Sequence, residues 1–251
     1  MTRRRAALLH LAISASLAAV VIALILFFWY PLPYFWAMGG PLLLVLILGV
    51  DVVLGPLMTL IVFNPAKPRR ELRMDLGLIA LIQAAALIYG LHAGFVTRLV
   101  YVVYSGHGFQ IVKANELGIE GVAPAQREAY RDLPWWGPRY VAARLPTDPK
   151  GQSDLSYYRA TGVGDWRVPA WYVPLDEMRG EMATAGIPQT RLARAAPALQ
   201  ADLQAKLRLM GLAWADVAVL PLSLPQATYT LVLHLADARV ISVQPHSPYG
   251  D

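Results

Sequence analysis

Three long apolar runs fill the first 94 residues of the chain: about Ala6–Tyr30, Pro41–Phe63 and Met74–Gly94. Each is near the roughly 20 residues that an α-helix needs to cross a hydrocarbon core. Lipid offers no water to exposed backbone groups, so such runs must satisfy their own N–H and C=O groups as helices. The chain therefore reads as membrane-anchored α+β. Three N-terminal transmembrane helices (spans about 7–30, 41–63 and 74–94) occupy residues 1–94, and an α+β domain occupies 95–251. A hydrophobic share of 56% against 16% charged residues fits that reading and not an ordinary soluble domain.

Arg3, Arg4 and Arg5 precede the first run. A secretory signal also begins this way, but this run exceeds a signal's apolar core and ends in Phe27-Phe28-Trp29-Tyr30-Pro31 with no small-residue cleavage site. It reads as a retained span. Pro31–Gly40 is uncharged and aromatic, the composition of an interfacial turn. Lys67, Arg69, Arg70 and Arg73 then separate the second and third runs. Basic residues mark the cytoplasmic side, so the N-terminus and residues 64–73 are expected inside. The turn at 31–40 and everything after Gly94 are expected in the periplasm of a bacterial inner membrane.

The net charge of +5 follows the same logic. Residues 1–94 carry seven Lys/Arg against three Asp/Glu, whereas residues 95–251 carry fifteen against fourteen. The excess flanks the spans and forms no basic stripe with interleaved aromatics, so nucleic acid is not an expected partner. The absence of cysteine excludes disulfides, thiol catalysis and cysteine-ligated metals. The five histidines share no ligand spacing, and no cofactor is expected.

The second run contains the oddest chemistry. Asp51 falls near its middle, where an ionisable side chain is expensive. Pro56 has no N–H for the carbonyl of Val52, which then needs another partner or a kink. Asp51, Gly55 and Thr59 are spaced four apart and share one helix face. Ser14 and Ser16 on the first run lie within about one turn of the depth of Asp51, and Gln83 on the third lies one to two turns lower. Gln83 also shares a face with Ala86, Gly90 and Gly94, a pattern that lets helices approach closely. These residues compose a candidate partner-helix seam: Ser14, Ser16, Asp51, Gly55, Pro56, Thr59, Gln83, Ala86 and Gly90. Three roles stand open for Asp51: a bond between the chain's own helices, recognition of a partner helix, or proton relay and catalysis. An intramembrane aspartyl protease would want a second deep aspartate. Asp75 lies at the cytoplasmic border, facing head-groups or Arg73.

Beyond Gly94, Thr97–Tyr104, Phe109–Lys113, Asp216–Leu222, Tyr229–Leu235 and Arg239–Val243 have strand composition, roughly five strands, and Arg139–Leu145 is a weaker sixth candidate. The last two read as a hairpin around Ala236-Asp237-Ala238. Pro146–Gly164 reads as a long polar loop, and Val173–Ala185 as a helix ended by Gly186 and Pro188. Gln189–Met210 is helical but broken or restarted at Pro197, with Leu199, Leu203, Lys206, Leu207 and Met210 on its buried face. The aromatics Trp135, Trp136, Tyr157, Tyr158, Trp166 and Trp171 lie mostly in loops. They read either as a loop-rich core or as a periplasmic contact surface for a protein partner.

The basic start with Phe28-Trp29-Tyr30-Pro31, the stretch Leu48-Gly49-Val50-Asp51-Val52-Val53-Leu54-Gly55-Pro56-Leu57-Met58-Thr59, and Asp75-Leu76 leading to Gln83 and Tyr89-Gly90 together resemble the TfpX/TfpZ family of type IV pilin accessory proteins. The resemblance implies a non-enzymatic, chaperone-like inner-membrane factor that assists assembly of a type IV pilin into pili. It assigns no catalytic residue and no cofactor. The alternative is a membrane enzyme that modifies a pilin or a lipid-linked precursor, using Asp51 or a periplasmic acid.

Overall fold

A computed structural model describes residues 2–118 and 120–250. The chain divides into two compact units, Met1–Arg98 and Leu99–Asp251.

The first unit is helical. Helix α1 (Arg3–Leu24) is capped by the Thr2 hydroxyl, which accepts from the Arg5 N–H, and continues as a π-helical stretch, Ile25–Trp29. One short turn of helix, α2 (Tyr34–Ala37), leads to α3 (Gly40–Ile47). A second π-helical stretch, Leu48–Leu54, joins α3 to α4 (Gly55–Val62), and α5 spans Arg69–Val96. Arg3–Trp29, Gly40–Val62 and Arg69–Val96 are each long and apolar enough to cross a membrane.

Both π-helical stretches run up to a proline, Pro31 and Pro56. A proline ring clashes with the carbonyl four residues back, and a wider turn makes room for it. Ala18, Val21, Ile25, Trp29, Tyr30, Phe35 and Ile47 form the core of this unit. Trp29 meets Phe95 edge-on at 5.7 Å, and the Tyr30 hydroxyl bonds Thr97 Oγ1 at 2.6 Å, so α1 and α5 are tied at that end. The turn expected at the interface is partly core: Tyr34 and Phe35 are buried, while Leu32 and Trp36 are well exposed.

The second unit carries a seven-stranded mixed sheet of order β4-β3-β1-β2-β5-β6-β7. Strands β1 (Leu99–Ser105) and β2 (Gly108–Lys113) form an antiparallel hairpin whose turn holds Gly106 at φ +68°. Strand β3 (Arg139–Ala143) lies parallel to β1, and the two-residue β4 (Tyr172–Val173) closes that edge. Strands β5 (Val217–Ser223), β6 (Thr228–His234) and β7 (Arg239–Gln244) form the other half, antiparallel to one another.

The expected six segments all pair, and the sheet gains β4, which is too short to show in a pattern. The expected loop at Pro146–Gly164 is instead largely helix α6 (Pro149–Ala160), with the Asp148 carboxylate accepting from the Gly151 N–H. Asp at the cap and Pro at the first helical position were the signal for it. Helix α7 (Arg179–Ala185) follows a 3₁₀ turn at Leu175–Met178. The segment around Pro197 is two helices, α8 (Gln189–Ala195) and α9 (Pro197–Leu209). Leu199, Leu203 and Leu207 of α9 pack on Val217, Val219 and Val232, but Met210 lies past the helix end and is exposed, not on the buried face.

Candidate functional site

The seam forms where α4 and the π-helical stretch before it face α1 and α5. Asp51, Gly55, Pro56 and Thr59 are buried, and Asp51 is only 6% exposed. The register explains how the backbone is satisfied. The Gly55 N–H bonds the carbonyl of Val50, five residues back. One residue on in that register, the N–H that Pro56 lacks would have served the carbonyl of Asp51. The orphan is therefore the Asp51 carbonyl and not, as α-helical spacing suggests, that of Val52. Gln83 of α5 fills it: its Nε2 donates to the Asp51 carbonyl at 3.2 Å. Gly55 makes room for this contact, because a Cβ there would overlap the Gln83 amide.

On the α1 side His10 Nδ1 and Thr59 Oγ1 are 2.6 Å apart. His10 is one of the five histidines without ligand spacing, yet it lies four residues before Ser14 and eight before Ala18, on one face of α1. Ser14 is buried on that face. Ser16 is not in the seam. It is exposed, and its hydroxyl bonds the Ala12 carbonyl of its own helix at 2.8 Å. Two residues apart in a helix point to different sides, so only one of the two serines can enter.

Ala86 is exposed, and no atom lies within 4 Å of where a Gly90 Cβ would stand. The small face of α5 is thus outward there and meets its own chain only at Gly94, against Trp29. Asp75 pairs with Lys67 at 2.7 Å, not with Arg73. What remains is the Asp51 carboxyl. Its Oδ1 is buried and has no hydrogen-bond partner among the described residues.

The aromatics of the second unit separate into two sets. Trp135, Trp136 and Tyr157 are exposed. Tyr158 is buried: its hydroxyl accepts from the Ala123 N–H at 3.0 Å and donates to the Gly121 carbonyl at 3.2 Å, and its ring packs on Trp171. Trp166 and Trp171 are half-buried, and the Trp166 carbonyl accepts from the Tyr172 hydroxyl at 2.5 Å. Tyr158 belongs to the interior, and Trp166 and Trp171 pack at its margin. A loop-rich domain with short strands fills its core with such rings.

Two acids of this unit are held by basic neighbours. Glu177 binds Arg127 through both oxygens and Arg144 at 2.9 Å, and the Arg127 hydrogen bond holds its carboxyl below the usual range. Asp237 is likewise held low by His234, with Arg239 at 3.5 Å. A cavity of about 690 Å³ opens beside Arg139, Arg179 and Arg239. Among the described residues no group of three or more His, Asp or Glu is placed to hold a metal ion.

Comparison with known proteins adds to this geometry. The model of a family described as fimbrial assembly protein FimB matches residues 1–39. A fimbrial assembly protein of Dichelobacter nodosus, serogroups C1 and C2, is 38% identical over 117 residues, which is 47% of this chain and 89% of the relative. The chain belongs to the fimbrial assembly protein family. Two further members from the same organism, of serogroups I and E1, are each 36% identical over 136 residues. The match covers 54% of this chain and 52% of each of these, so the chain spans about half the length of those relatives. No solved structure matches. In this member of the family, residues 1–39 include His10, Ser14 and the π-helical end of α1.

Proposed function

We propose that this chain is a type IV pilus assembly factor of the TfpX/TfpZ kind, which holds a pilin helix in the inner membrane without catalysing a reaction on it. The observation that carries this reading is the Asp51 carboxyl, buried at mid-span with an unpartnered oxygen. A buried polar atom without a partner is costly, and a donor brought by a second helix relieves the cost. The outward Ala86 and Gly90 on α5 offer a place where another backbone can come close. The relatives' names, fimbrial assembly proteins, point to the same process.

In this reading the basic residues at 3–5 and 67–73 face the cytoplasm, and the second unit lies in the periplasm with Trp135, Trp136 and Tyr157 on its surface. The test is a photocrosslinking residue at position 86 in intact bacterial membranes. Pilin is the expected capture, lost in Asp51→Leu. Captures containing no pilus component would sink the proposal. The captured pilin keeps its mass; a mass change dependent on this chain would establish an enzyme instead.

A further inference from the structure

We propose that the loop Pro134-Trp135-Trp136-Gly137-Pro138 docks on the lipid head-groups of the membrane that anchors the chain. Trp135 and Trp136 are 66% and 63% exposed, although indoles are among the most burial-prone side chains by area. The loop is held at both ends. Pro134 is buried, Leu133 and Tyr130 pack against the core around Val100, Val141 and Tyr172, and Arg139 begins β3. Gly137, at φ +49°, turns the backbone where a Cβ would be strained. Both rings are well over half exposed on a loop whose two ends are held.

The register says which end of the sheet presents them. Only Thr97 and Arg98 separate the end of α5 from the start of β1. Consecutive Cα atoms are about 3.8 Å apart, so Leu99 stays within about 11 Å of Val96. Strand β3 runs parallel to β1 with Arg139 beside Tyr101, two residues past Leu99. The tryptophans, three and four residues before Arg139, thus belong to the sheet end at which the chain leaves its third apolar helix. The opposite end is the turn at His107, roughly 20 Å along β1 at about 3.3 Å per residue. Exposed Arg131 and Arg139 flank the loop, with exposed Asp132 beside Arg131 and one Arg139 nitrogen donating to the Ala129 carbonyl at 2.7 Å. Indoles with neighbouring arginines suit the head-group region, where a ring sits partly in hydrocarbon and a guanidinium meets phosphate.

The inference rests on the reading that the three helices span a bilayer, and its test separates the two. The chain has no cysteine, so Trp135→Cys, Trp136→Cys and His107→Cys each give a unique labelling site. The full chains, carrying an environment-sensitive fluorophore, are reconstituted into vesicles of phosphatidylethanolamine and phosphatidylglycerol without other protein. Blue-shifted emission at 135 and 136, quenched by a head-group spin label, with aqueous emission at 107, is the expected result. Aqueous emission at 135 and 136 in a chain that floats with the vesicles overturns the docking alone. A blue shift that appears only after pilin is added overturns it too, in favour of a protein partner. A chain that does not float overturns the spanning reading and the docking with it.

Discussion

The contact between Gln83 and the Asp51 carbonyl exists because Pro56 removes a donor, and that dependence can be measured. Gln83→Met keeps side-chain length and removes the amide, leaving the carbonyl unserved. Orphaning a buried acceptor costs about 1–3 kcal/mol in general. Side-chain bonds between helices in a bilayer average about 0.6 and reach about 1.7 kcal/mol. At 3.2 Å, and to a carbonyl with no alternative donor in its register, this bond belongs in the upper half of that range, so we expect a loss of about 1 kcal/mol.

Pro56→Ala returns an N–H at the position where the Asp51 carbonyl can use it. In that background Gln83→Met should cost almost nothing. Four proteins (wild type, both single variants and the double) are unfolded by sodium dodecyl sulfate titration in mixed micelles and followed by circular dichroism. The coupling energy between positions 56 and 83 should be about 1 kcal/mol, well above the roughly 0.3–0.5 kcal/mol within which independent sites add. Additivity within that margin would refute the claim that Gln83 stands in for the proline's missing donor.

Other substitutions probe the rest of the chain. Ser14→Leu crowds a buried position and should destabilise the helical unit, whereas Ser16→Leu, on the exposed side, should be neutral in the same titration. The Tyr101 hydroxyl is buried with no partner among the described residues, so Tyr101→Phe should leave thermal stability unchanged or raise it. Tyr172→Phe removes the bond to the Trp166 carbonyl and should lower stability by about 1 kcal/mol. Glu177 has its folded pKa depressed by Arg127, so its stabilisation is present above the unfolded value and lost as pH falls through the folded one. Glu177→Gln should therefore flatten the acid side of the stability profile and change little if the pairing is only solvated surface charge.

The sequence spelled out what depends on long, uniform patterns. Three apolar runs announce three spans because nothing shorter than a bilayer asks for so many apolar residues in a row. The β6–β7 hairpin shows as alternation around Ala236-Asp237-Ala238, and the break at Pro197 follows from its missing N–H.

What stayed hidden depends on events between distant residues. That Pro56 orphans Asp51 and not Val52 follows from a π-helical register that no single residue encodes. The choice of Ser14 over Ser16 is a rotation of α1, fixed by packing of Ala18, Val21 and Ile25. Helix α6 is hidden by its polar composition, and without it the sequence leaves Tyr158 open between core and surface; on α6 it lies one turn from buried Leu155 and shares its side.

The π-helical stretch before Gly55 has a mechanical consequence. It stores one residue of slack in the middle of a span. Letting that residue slip into α-helical pairing would turn one half of the span against the other by about 100° and lengthen it by about 1.5 Å. In that pairing the Gly55 N–H would serve the Asp51 carbonyl, which the Gln83 amide serves now, and Val52 would hold the carbonyl that Pro56 leaves without a donor. The slip would thus release Gln83 and orphan Val52 in one step, so the rotation of one half of the span and the loss of its tie to α5 would be a single event.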